Sequence, residues 1–174
     1  MRTNRKWLAA VALAVAPALV HASATQTLSR IEDRVRHELV TLPYLNAFDD
    51  ISFRVDGGAV TLFGAVTQPW LKSDAERAVK HIEGVERVDN EVEVLPLSRF
   101  DEQIRLREYR AIFGYTPLQH YGMGVLPSIR IIVKNGNVTL AGVVSSEADR
   151  NLAYVRANAV PGVFSVRNEL QVEN

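Results

Sequence analysis

The sequence predicts an α+β protein of two repeated small α-β-β-α-β modules, each with helices packed on one face of a three-stranded sheet. Three observations carry that expectation: self-similarity at a shift of 78 residues, period-two strand segments bounded by turn residues, and apolar stripes at helical spacing. With the shift applied, Val55–Gly64 falls on Val133–Gly142 and Val88–Val94 on Val166–Val172. Between residues 55 and 94, fourteen of forty positions are identical to their partners without a gap.

In the first copy, Leu28, Ile31, Val35, Leu39 and Leu42 recur at helical spacing among charged residues, and Pro43 stops the helix. Ile51–Val55 alternates as a half-buried strand. Asp56-Gly57-Gly58 is a turn, and Val60–Val66 returns with Val60, Leu62, Gly64 and Val66 on one face. A second helix carries Leu71, Ala75, Ala78, Val79 and Ile82, and Gly84 is expected to cap it. A third strand is expected from Glu86 to Val94, with Val88, Val92 and Val94 inward.

Leu95-Pro-Leu-Ser98 reads as a short linker, with Ser98 to Asp101 offering helix caps. The second copy then has a helix around Glu102–Phe113 and a long joining segment, Gly114–Pro127. Strands Ile129–Val133 and Val138–Val144 follow, about an Asn135-Gly136 hairpin signal. Its second helix, near Glu147–Val160 with Ser146 as cap, has a less regular stripe. Ala153, Ala157 and Val160 hold the face, while Asp149 and Arg156 interrupt it. A strand Phe164–Val172 closes the copy.

The first residues are a separate object. Arg2, Arg5 and Lys6 precede an uncharged run from Trp7 to Val20, and Ala22-Ser23-Ala24 has the small-x-small form of a cleavage site. The expected organisation is a signal peptide at 1–24 and modules at 25–96 and 97–174. Removing those three basic residues leaves 17 Lys and Arg against 20 Asp and Glu, a net of −3. That balance argues against nucleic-acid binding and gives no broad pull toward anionic lipid. There is no Cys, so disulfides and thiolate chemistry are excluded.

Few residues suit catalysis. The mature chain has only His37, His81 and His120, and no pair has ligand spacing, so no metal or cofactor is expected. Asp49-Asp50 is the only tight carboxylate pair before a strand, where turn-forming Asp is common. No serine sits in a nucleophile motif, so no catalytic residue is assigned and no small-molecule substrate is expected.

The strand pair ending Val-Thr-Leu-x-Gly, an Ala-containing helix, and Gly-Val-x-x-Val-x-Asn-x-hydrophobic-x-Val together resemble the BON-domain signature. The pattern occurs at Val60–Gly64 with Gly84–Val94, and again at Val138–Gly142 with Gly162–Val172. The resemblance covers Leu28 to Val172. It implies a periplasmic or envelope protein, often induced by stress, whose modules bind a phospholipid membrane surface or envelope protein rather than catalyse. The recurring glycines read as structural: Gly58 and Gly136 for turns needing positive φ, Gly84 and Gly162 for helix ends. Gly64 and Gly142 lie within strands, where a missing side chain would let a helix backbone approach.

One segment stands out. Phe113, Tyr115, Leu118, Tyr121 and Met123, with Val125 and Leu126, crowd a Gly/Pro-rich stretch. It suits lipid or partner binding, because aromatic rings fit the lipid–water interface. It equally suits packing in the seam between the copies, and bridging is the expectation because copy one has no counterpart of equal length.

Overall fold

The computed structural model describes residues 18–124 and 126–173. The expected leader at 1–24 lies outside the described residues up to position 17. Helix α1 (Ala18–Val40) runs through Ala22-Ser23-Ala24. After it come β1 (Asp50–Asp56), β2 (Ala59–Val66), α2 (Pro69–Lys80), β3 (Arg87–Asn90) and β4 (Glu93–Val94). The second module has α3 (Arg99–Phe113), a 3-10 helix at Thr116–Gly122, β5 (Ile129–Lys134), β6 (Asn137–Val144), α4 (Glu147–Asn158) and β7 (Ser165–Val172).

Each sheet is mixed. β1 and β2 form an antiparallel hairpin, and β3 and β4 return parallel to β2 after the α2 crossover. β5, β6 and β7 repeat the order with the same register, Phe53↔Leu62 corresponding to Ile131↔Leu140. Apolar alternation decides which face is covered. In the first module Ile31, Val35 and Leu39 of α1 and Leu71, Ala75 and Val79 of α2 close over Val60, Leu62 and Val66. In the second, Ile104 and Ile112 of α3 and Ala153 and Ala157 of α4 cover Ile129, Ile131, Leu140 and Val144.

The third strand of copy one differs from its expectation. It breaks between Asn90 and Glu93, where the Asn90 side chain accepts from the Val92 N–H at 3.2 Å. Val92 turns fully inward while Val94 is exposed. Asn90 also donates to the Lys72 carbonyl of α2 at 2.8 Å. Asn168 repeats both bonds, to the Arg150 carbonyl at 2.9 Å and from the Leu170 N–H at 3.3 Å. One amide thus ties the third strand to the crossover helix in each module and blunts the sheet edge.

Three of the glycine expectations differ in the structure. Gly64 and Gly142 sit at φ +116° and +115°, and the atom a Cβ would strike is a partner-strand carbonyl, Asp50 O or Ser128 O, rather than a helix. α2 ends at His81 and α4 at Ala159, both right-handed, so Gly84 and Gly162 serve the later turns into the third strands. In the first hairpin the positive φ falls on Gly57 instead of Gly58, which is held close by the Glu86 side chain; Gly136 has it in the second.

The modules meet through the turn after α1. The Ile131 N–H at the β5 edge donates to the Ala47 carbonyl at 2.7 Å, and Phe48 meets Tyr109 edge-on at 6.1 Å. Ala47 belongs to the core of the second module. Asp49 holds that turn: fully buried, it accepts from the Thr67 N–H and hydroxyl at 2.7 and 2.8 Å and from the Asn46 N–H at 3.2 Å.

Candidate functional site

The five residues singled out for binding divide in two. Phe113, Leu118 and Tyr121 are buried in the second core. Tyr115 is 37% exposed and Met123 69%. The 3-10 helix starts with Pro at its first turn. Among the described residues it packs on α3 and α4 of its own module, so the expected bridge between copies is not made by this helix. Ala47 and Phe48 make it instead. The physical reason is a shortage of volume: α4 carries Asp149, Ala153 and Ala157 where α2 carries Leu71, Ala75 and Val79, and the segment fills the space. The Tyr121 hydroxyl donates to Asp149 Oδ2 at 2.9 Å and accepts from the Ser145 N–H at 2.8 Å. Asp149, which interrupts the apolar stripe, is therefore the partner of an inserted tyrosine.

Tyr115 lies under the Arg156 guanidinium, 4.9 Å from ring centroid to charge, while Arg156 Nε donates to the Ala111 carbonyl at 3.0 Å. Met123 shares a shallow groove of about 330 Å3 with Tyr109, Arg110 and Phe113. Two exposed apolar residues and two arginines therefore border the same end of the second module.

The carboxylates assemble no acid–base pair with histidine. Asp49 is occupied by the turn, and Asp50 faces Arg130 of β5 and Glu169 of β7. Burial raises the Asp50 carboxyl above the usual range, opposed by Arg130. Among the described residues, no group of three or more His, Asp or Glu is placed to hold a metal ion. No described helix is long and apolar enough to cross a membrane.

Sequence reading missed the polar side of α3. Ser98 caps the helix as expected, accepting from the Asp101 N–H at 3.2 Å, but Asp101, fully buried, clamps the β5–β6 turn by accepting from the Asn135 and Gly136 N–H groups at 3.0 and 2.8 Å. Glu108 is also fully buried, its two carboxyl oxygens have no hydrogen-bond partner among the described residues, and burial pushes its pKa up to about 8. Arg105 is buried one turn earlier. Charged letters on an amphipathic helix read as a solvated face, so no pattern marked these three. Asn90 and Asn168 did carry a signal, because they are identical across the repeat.

A duplicated α-β-β-α-β unit, with its repeated residues committed to turns, strand crossings and a strand-to-helix tie, defines a tandem scaffold. The chain belongs to the BON-domain family: the BON domain matches residues 27–96 and 125–174. Over 129 residues it is 30% identical to osmotically-inducible protein Y of Escherichia coli strain K12, across 71% of this chain and 62% of that protein. It therefore spans less than two thirds of that relative's length. Two solved structures of CdsD, a structural protein of the type III secretion system of Chlamydia trachomatis, share 14% identity with the chain. One, of the C-terminal domain, matches 82% of this chain and 96% of its own with a TM-score of 0.29. The other matches 83% and 94% with a TM-score of 0.30. At these scores the likeness bears on neither function nor module arrangement.

Proposed function

We propose that this chain is an exported, non-catalytic binding protein of the cell envelope, with a stress-related role and peripheral attachment to phospholipid membrane or envelope components. The observation that carries the reading is the BON module in duplicate, in a chain related to a protein named for osmotic induction. Residues 1–24 are the leader in this reading, 25–96 and 97–174 the two working modules, and the periplasm their location.

Attachment falls to the exposed end of the second module. Tyr115 and Met123 supply apolar contact at headgroup depth, and Arg110 and Arg156 supply local positive charge that the net charge of −3 does not. Flotation of residues 25–174 with anionic and zwitterionic vesicles tests this. Co-flotation with anionic vesicles is expected, reduced several-fold by the double substitution Tyr115→Ser and Met123→Ser. Absence from the lipid fraction at every composition contradicts direct membrane binding.

The groove beside Met123 favours a second reading, an envelope protein partner without a lipid step, because Met123 and the packed Tyr109–Phe113 pair give it apolar walls. Stable recovery of one envelope protein, lost in Met123→Glu, together with negative flotation selects it.

A further inference from the structure

A cleft of about 520 Å3 opens between the modules, walled by Gln68 before α2, the linker Leu95–Ser98, and Arg99, Glu102 and Arg105 on α3. Arg105 is only 4% exposed. Its Nη2 donates to the Val133 carbonyl at 2.9 Å and its Nη1 to Glu102 at 3.2 Å, while Nε has no acceptor among the described residues. A guanidinium keeps its charge at any accessible pH, and a buried donor without a partner is unfavourable. The counter-charge is a carboxylate one turn away whose side chain is 58% exposed, so the pair holds Glu102 weakly.

The surroundings are donor-rich. Arg99 is exposed and forms no ion pair among the described residues. The Gln68 side chain at the start of α2 makes no capping hydrogen bond and lines the cleft. Ser98 Oγ accepts from Asp101, and its proton remains available. Buried Leu95 forms an apolar wall. That residue also borders a second opening of about 560 Å3, where Lys134 and Arg167 outnumber Glu93. Lys134 there pairs with Glu93 and Arg167 with Glu169, so the excess of positive charge lies at Arg99 and Arg105 beside Glu102.

We propose that this cleft binds a phosphate monoester, whose oxygens displace Glu102 from Arg105 and engage Arg99, while its organic part lies along Leu95. Guanidinium forks match the geometry of a phosphate, and the volume exceeds that of the bare ion. The site is independent of the membrane attachment proposed above, because it lies on linker and α3 residues away from Tyr115 and Met123.

The test is an amide NMR titration of residues 25–174 with phenyl phosphate at low ionic strength. Saturable shifts confined to residues 67–68 and 95–105 are expected. Arg99→Gln should weaken binding about fivefold, and Glu102→Gln should strengthen it, since the competing carboxylate is gone. These two exposed positions carry the test because Arg105 also braces Val133 and its removal endangers the fold. A parallel arm uses vesicles of phosphatidic acid in phosphatidylcholine. Binding of phenyl phosphate in solution assigns the cleft to a soluble ester, and binding only to the vesicles, with the same cleft shifts, assigns it to a lipid headgroup. No saturable shift in either arm, or affinity unchanged in both variants, overturns the site.

Discussion

The helices that follow the two hairpins keep one fold with different side chains. α2 buries Leu71, Ala75 and Val79 directly on its sheet and, with Ile31, Val35 and Leu39 of α1, completes the cover of that face. α4 offers Asp149, Ala153 and Ala157 at the aligned positions, two of them much smaller or polar substitutes for Leu71 and Val79. The second module restores the volume from outside the repeat, with Leu118 and Tyr121 of the 3-10 helix entering the same cluster. A repeat can therefore drift in its helix stripe, provided a neighbouring segment restores packing density and satisfies the new polar group. The two strand-to-helix ties at Asn90 and Asn168 did not drift, because no neighbouring segment can supply that bond.

The largest effect expected from this contrast is at Leu118, which is fully buried. Leu118→Ala should destabilise the second module by about 2–5 kcal/mol. Denaturant unfolding followed by module-resolved amide signals should show the first module little changed, and Leu71→Ala should give the mirror image. Equal loss in both modules would mean that their cores are not separate.

Glu108 sharpens the contrast through pH. The folded chain holds its proton up to about pH 8, whereas an unfolded one releases it near the ordinary glutamate value of 4.5. The folded pKa is raised, so between those values the folded state binds more protons and stability falls as pH rises. Below pH 4.5 the difference disappears. Glu108→Gln should remove this slope and stabilise the chain at pH 7 by about 1–3 kcal/mol, read from urea unfolding across pH 4–9. A variant as pH-dependent as the parent would show that Glu108 is solvated.

A smaller effect belongs to Tyr121. Its ring fills the core and its hydroxyl joins Asp149 to the Ser145 N–H. Tyr121→Phe keeps the ring and should cost about 1–2 kcal/mol, measured by thermal unfolding. No change would leave packing as the whole contribution of this residue.

The fold was legible because the repeat, the Asn135-Gly136 hairpin and the strand alternation are local and redundant. Helix ends were less so: Gly84 and Gly162 lie past the helices because short turns intervene before the third strands. The candidate surface was read only in part. An aromatic cluster in a Gly/Pro-rich stretch looks the same whether it packs inward or faces solvent, and only the depleted stripe of α4 hinted at the first. Buried Asp101, Arg105 and Glu108 were invisible, since burial of a charge depends on which sheet edge the helix meets.

The claim that the 3-10 segment completes the second core is tested most directly by amide hydrogen exchange over Thr116–Gly122. Leu118 donates its N–H to the Tyr115 carbonyl at 2.9 Å, and the Tyr121 carbonyl accepts from Ser128 at 2.8 Å. The account predicts that the Leu118 and Ser128 amides are protected together with those of α4, opening only when the module unfolds. Exchange at the rate of an open loop, with α4 still protected, would contradict it.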